Sequence, residues 1–209
     1  MTFCDSLSSV QSRVTLSDGH TMPCVGFGTW MIKDDLNGTE PILEAIRAGY
    51  RHIDTASLYN SERSVGEAVR LSALPREEFF ITTKVWKDDL DGEKIRISLE
   101  KSLSRLGMDY VDLFLIHWPR ADYDDLNWAA RLNAAWYEMI KLREEGLTRS
   151  IGVANCLPHH LQALPDEEKP VVDQFEFHPG YTQQDTVEYC QARGIQVQAW
   201  APPRARTVP

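Results

Sequence analysis

The stretch EFFITTKVWKDDLDGEKIRISLEKSLSRLGMDYVDLFLIHW, residues 78–118, decides the fold. EFFITTKVW (78–86) reads as a strand, and EKIRISLEKSLSRLG (93–107) follows as a helix. Ile95, Leu99, Leu103 and Leu106 repeat there at i, i+4, i+8 and i+11, one apolar stripe, and Gly107 stops the run. YVDLFLIHW (110–118) is almost continuously apolar, the pattern of a strand covered on both faces. A strand, a helix and a covered strand make one right-handed β-α-β unit of a parallel sheet.

Outward from that unit the same alternation repeats. Upstream, RVTLSDGHTMP (13–23) predicts a β-hairpin turning at Asp18-Gly19, and VGFGTW (25–30) predicts a short strand. A helix over 40–48 carries Pro41 in its first turn and Gly49 past its end. A strand over 50–56 and a helix over 61–72 complete that side. Downstream come a long helix over 126–145 with Leu132, Trp136, Met139 and Ile140 inward, a strand over 150–155 and a short helix ending near Leu164. A strand at 170–177, a helix at 182–194 and a strand at 195–201 follow. Seven strands separated by helices leave an open doubly wound sheet or a (β/α)₈ barrel. Gly26-Phe27-Gly28 lacks the third glycine of a dinucleotide fingerprint, and polar residues close strand after strand at Asp54, Lys84, His117, Asn155 and Gln174. That pattern selects the barrel, one domain over 1–209. A complete barrel needs eight strands and ~250 residues. The last segment, 203–209, predicts no strand, so the reading is an incomplete barrel lacking its eighth unit, whether as a fragment or with an open edge.

Composition sets the class. Lys and Arg number 22 against 31 Asp and Glu, a net charge of −9, which argues against a nucleic-acid or anionic membrane partner. No run approaches the ~18 apolar residues of a membrane span, and the N-terminus does not read as a signal peptide. Cys4, Cys24, Cys156 and Cys190 are spaced as free thiols of a reducing compartment, so the cytoplasm is the expected location. No metal-ligand spacing is present, and His159-His160 and His178-Pro179 read as structural.

At the strand ends a chemistry assembles. A phenol is a poor acid at neutral pH until a cation stabilises its phenolate. Lys84 can supply that cation to Tyr59, Asp54 can hold Lys84 charged, and His117 can orient a reacting oxygen. The four together can give a proton to, or take one from, a carbonyl or alcohol oxygen.

GYRHIDTASLYNSERSVGEAV (49–69), ITTKVW (81–86), VDLFLIHWP (111–119), IGVAN (151–155) and VDQFEFHP (172–179) resemble the aldo-keto reductase family. More narrowly they resemble its bacterial 2,5-diketogluconate-reductase-like branch, to about Pro202. The resemblance implies a (β/α)₈ barrel that reduces aldehydes and ketones with NADPH, NAD remaining open. It implies Tyr59 as general acid, Asp54 and Lys84 tuning it, and His117 orienting the carbonyl. Asn155 and Gln174 would hold the nicotinamide carboxamide, Trp200 would stack on the ring, and Gly28, Thr29 and Asp54 would also meet the cofactor. Trp30, Trp86, His117 and Trp118 would line the mouth for a small carbonyl substrate. The family is usually monomeric, while a chain lacking one unit is expected to associate. Two departures stand out: Ala154 replaces the family's usual Ser before Asn155, and Pro203-Arg204-Ala205-Arg206 replaces a glycine-rich phosphate loop. Two functions therefore compete, a carbonyl reductase and a shortened, catalytically impaired barrel acting as a binding or interaction protein.

Overall fold

The computed structural model describes residues 8–35 and 37–201. A β-hairpin pairs β1 (Arg13–Thr15) with β2 (Thr21–Pro23). Then β3 (Gly26–Gly28), α1 (Thr39–Arg47), β4 (His52–Asp54), α2 (Glu62–Leu71), β5 (Phe80–Val85), α3 (Gly92–Leu106) and β6 (Val111–Ile116) alternate. The series continues through α4 (Trp128–Glu144), β7 (Thr148–Ala154), α5 (Pro158–Leu161), β8 (Val172–Glu176), α6 (Gln184–Ala192) and β9 (Gln196–Trp200). The strands from β3 to β9 pair in chain order, every neighbour parallel, giving a curled sheet of seven. Among the described residues β3 and β9 do not pair with each other, so the sheet is a half-barrel with two free margins. Residues 203–209 and Cys4 lie outside the described residues, and the readings made of them go no further here.

The predicted elements appear within one to three residues of their expected limits. The helical stripe of α3 is buried at Ile95, Leu99, Leu103 and Leu106, and Gly107 ends the helix in the left-handed region at φ 64°. Alternation along the strands sorts side chains to two faces. Outward residues such as Ile53, Ile81, Val85, Phe114, Ile116, Ile151 and Val153 meet the helices, together with Leu99, Trp136 and Met139. Inward residues Phe80, Leu113, Leu115, Ala154 and Val172 pack against Val14, Leu16 and Met22 of the hairpin, which plugs the concave side. The apolar run of β6 is covered on both faces for this reason.

The same parity places the chemistry. His52 and Asp54 of β4, Thr82 and Lys84 of β5, and Gln174 of β8 share the register of the inward residues, above the hairpin plug. Burial of Lys84 is complete, whereas a lysine is ordinarily left with its head in water. Among the described residues no helix is long and apolar enough to cross a membrane.

Candidate active site

Asp54 ends β4 opposite Thr82 of β5, and Lys84 lies two residues further along β5 on the same face, where its long side chain reaches back to Asp54. The Lys84 ammonium forms an ion pair with Asp54 Oδ1 and donates to the Thr55 carbonyl at 3.0 Å. The other carboxylate oxygen of Asp54 accepts from Gln174 Nε2 at 2.7 Å. Burial disfavours the charged ammonium; the charge of Asp54 and its hydrogen bond to the ammonium outweigh that, and Lys84 stays above its ordinary pKa.

Tyr59 stands on the loop between β4 and α2, with the Lys84 ammonium 5.0 Å from its ring centroid. Its hydroxyl is 3.4 Å from His117 Nε2, and the two rings meet edge to face at 5.5 Å. Trp86 supports the opposite side of His117, edge to face at 5.1 Å. Burial raises the Tyr59 phenol above its ordinary pKa, while the Lys84 charge lowers it without cancelling the rise. The expected acidification is thus right for the sign of Lys84's own effect and wrong for the sum. The phenol remains loaded with its proton at neutral pH. Burial and the nearby Lys84 charge hold His117 down to about 3, so its imidazole is neutral. Its Nδ1 is buried without a hydrogen-bond partner, and Nε2 is the nitrogen beside the phenol.

Asp54, Tyr59 and His117 line one cavity of about 1160 Å³, walled also by Gly28, Trp30, Trp86, Trp118, Asn155, Gln174 and Trp200. It reaches down between β3 and β9 to Val14, Leu16 and Met22 of the hairpin. Lys84 is not in its wall and acts from behind Asp54 and Tyr59. Trp30 and Trp118 are 66% and 40% exposed, so they form an outer collar, whereas Trp86 is half-buried against His117.

The expected cofactor residues divide. A Cβ on Gly28 would meet nothing within 4 Å, which leaves that strand end open to a flat ring. Trp200 is half-buried on the opposite wall. Asn155, strained at φ 58°, donates through Nδ2 to the His117 carbonyl at 2.9 Å and accepts from Trp200 Nε1 at 3.1 Å. Gln174 commits its amide nitrogen to Asp54, leaving the amide oxygen to offer. Thr29 differs from expectation: it is fully buried, absent from the cavity wall, and its hydroxyl turns back to Asp54 O and Ser61. Gly28, Gln174, Trp200 and Asn155 are the wall residues that could hold a dihydropyridine ring and its carboxamide. For Asn155 this requires an exchange of partners.

No group of three or more His, Cys, Asp or Glu able to hold a metal occurs among the described residues. His159 and His160 pack in tilted contact beneath Trp128. Sequence reading missed Ser61, whose hydroxyl lies between those of Thr29 and Thr55; nothing in its local sequence separates it from an ordinary helix-capping serine.

An ion-paired lysine lies behind a tyrosine and a histidine at the carboxyl ends of parallel strands, the end at which parallel α/β barrels carry their active sites. Residues 24–204 match the model of the aldo/keto reductase family, and the chain belongs to that family. It is 43% identical over 198 residues to "Glyoxal reductase" of Bacillus subtilis (strain 168), covering 93% of this chain and 68% of that one. It thus spans about two thirds of that relative's length. A crystal structure of an aldo/keto reductase from Brucella melitensis superposes with a TM-score of 0.86 at 38% identity, covering 94% of this chain and 75% of that one. An aldo-keto reductase of Bombyx mori in complex with NADP gives 0.79 at 34% identity, covering 93% and 67%.

Proposed function

We propose that this chain reduces a small aldehyde or ketone to the alcohol, with NADPH as hydride source and Tyr59 as the general acid. The observation that carries the reading is the meeting of Tyr59, His117 and Asp54 in one cavity wall, with the Lys84 ammonium paired to Asp54 directly behind it. The sheet is read as seven staves of a (β/α)₈ barrel forming one domain. Glyoxal reductase, the name of one relative, points to small dicarbonyls as the first substrates to try. The solved complex with NADP supports that cofactor over NAD.

Gly28, Asn155, Gln174 and Trp200 would hold a reduced nicotinamide, which when bound would supply the hydride that the carbonyl carbon receives. His117, neutral and backed by Trp86, directs Nε2 at the carbonyl oxygen and fixes its approach beside the phenol. Tyr59 gives its proton to that oxygen as negative charge develops there. The Lys84 ammonium then stabilises the phenolate left behind, and Asp54 keeps Lys84 charged throughout. Trp30 and Trp118 shade the mouth.

Loss of NADPH absorbance with glyoxal tests the reading. Tyr59→Phe keeps the ring and removes the proton, and should cost roughly two to four orders of magnitude in kcat. Unchanged turnover in that variant overturns Tyr59 as the acid. A second reading, a carbonyl-binding protein without turnover, has one observation in its favour: both amides expected at the nicotinamide are already engaged inside the protein. Fluorescence titration with NADPH separates the two, since micromolar binding removes the second.

A further inference from the structure

We propose that Ser61 is a positioning residue for the proton donor: with Thr55 and Thr29 it forms a buried hydroxyl clamp that closes the Tyr59 loop and fixes Asp54 and Thr55 around the Lys84 ammonium. The role assigned to Tyr59 is that of the reductase reading above.

The direction of the clamp follows from donor counting. A carbonyl only accepts, so the Thr29 hydroxyl donates to Asp54 O, at 3.0 Å. With its one proton spent, Thr29 Oγ1 must accept from Ser61 Oγ, at 2.9 Å. Ser61 is then spent in turn and accepts from Thr55 Oγ1, at 3.0 Å. The chain runs one way, Thr55 to Ser61 to Thr29 to the Asp54 carbonyl, and each member polarises the next. All three residues are fully buried, so these hydroxyls are bonded to one another and not to bulk water.

Both ends of this chain touch the site. Asp54 O also accepts the Thr29 amide at 2.9 Å, so the backbone that aims the Asp54 carboxylate is held twice. Thr55 sends its amide to Thr82 O at 2.9 Å and receives Lys84 Nζ on its carbonyl at 3.0 Å. Thr55 and Ser61 are the two ends of the segment that carries Tyr59. Inside it, Ser57 N donates to Lys84 O at 3.1 Å and Tyr59 N to Ala56 O at 3.0 Å. Asn60 turns through φ 54° and its carbonyl accepts from Asp34 N at 2.7 Å. The Oγ–Oγ contact between Thr55 and Ser61 is the side-chain bond that draws the two ends together. Thr29, expected to touch the cofactor, serves instead as the acceptor that orders the chain.

Ser61→Ala and Thr55→Val each remove one hydroxyl, and Thr55→Ser keeps it. In the chain alone, amide hydrogen exchange over residues 56–60 should quicken by roughly ten-fold in the first two, the scale of one lost buried hydrogen bond. Exchange in the middle of α3 should be unchanged. In turnover, kcat should fall roughly ten-fold or more with the KM for NADPH within about two-fold, because the donor is displaced and the cofactor wall is not. Thr55→Ser should match the wild type in both. Unchanged exchange over 56–60 in Ser61→Ala overturns the clamp. Faster exchange with unaltered kcat overturns the positioning role, and so does Thr55→Ser behaving as Thr55→Val. Should Thr55→Val not fold, Ser61→Ala against Thr55→Ser decides. If the wild type reduces no carbonyl, the reductase reading falls, while the exchange measurement still decides whether the clamp holds the loop.

Discussion

Replacing Lys84 with methionine should destabilise the chain more than any surface change and be rescued by a second substitution beside it. The ammonium is fully buried, its stem lies in the inward register of β5, and its partners are Asp54 and the Thr55 carbonyl. Lys84→Met fills much the same volume but leaves the Asp54 carboxylate with Gln174 Nε2 as its remaining side-chain partner. Breaking a buried pair from one side costs about 3–5 kcal/mol, because the surviving charge is uncompensated. For a chain of this size that is a fall in Tm of roughly 10 °C. Asp54→Asn should cost a similar amount from the other side. The double variant removes both charges, keeps an amide for Gln174, and should return to within about 1–2 kcal/mol of the wild type. Urea denaturation of the four proteins at pH 7 gives the cycle. A Lys84→Met protein as stable as the wild type, or a double variant losing the sum of the two singles, refutes the argument. Turnover should be lost in all three variants, rescued stability notwithstanding.

Acid should weaken the fold in a window set by buried neutral histidines. His117 is held down to about 3 and His160 to about 4, and burial also lowers His52. Below pH ~6.5 the unfolded chain binds protons that the native one refuses. Stability present above that pH is therefore lost as pH falls towards 4 and then 3, about 2 kcal/mol by pH 5 from His117 alone. Denaturant midpoints unchanged between pH 7 and 5 would contradict this. Asp173 behaves oppositely. Burial raises it well above its ordinary value, with the Cys156 amide and Cys190 thiol as its contacts. The sign is that of a raised acid: stability is full at low pH and falls as pH rises towards the folded-state pKa. Asp173→Asn should gain on the order of 1 kcal/mol at pH 8, read by thermal melting; a loss there counts against it. Gly66→Ala would place a Cβ 2.0 Å from the Leu106 carbonyl, forcing α2 off the end of α3. It should cost about 1–3 kcal/mol despite alanine's better helix propensity, and an alanine variant that melts no lower would show the helices can part freely.

Much of this architecture was legible because local pattern and tertiary demand agree. The α3 stripe and the continuous apolar run of β6 each have one burial solution, and the polar residues at strand ends gave the site its membership. What was not legible belongs to three-dimensional neighbours. Burial around Tyr59 outweighs Lys84, a balance no spacing reveals. The Thr29 hydroxyl turns towards Ser61, 32 residues along the chain, and so leaves the cavity. Asn155 and Gln174 spend hydrogen bonds on His117 O, Trp200 and Asp54, an internal use of amides that sequence reading reserved for a ligand. Trp30 and Trp118 do line the mouth as read, though their large exposure at its rim could not be told from spacing.

The sealing of Lys84 turns its amine into a clock. With no atom at the surface, it is out of reach of acylating reagents that label the chain's solvent-facing lysines within minutes. Its labelling must wait for an opening that uncovers the amine, so the rate at which mass spectrometry finds Lys84 tagged would count how often the centre of the sheet breathes.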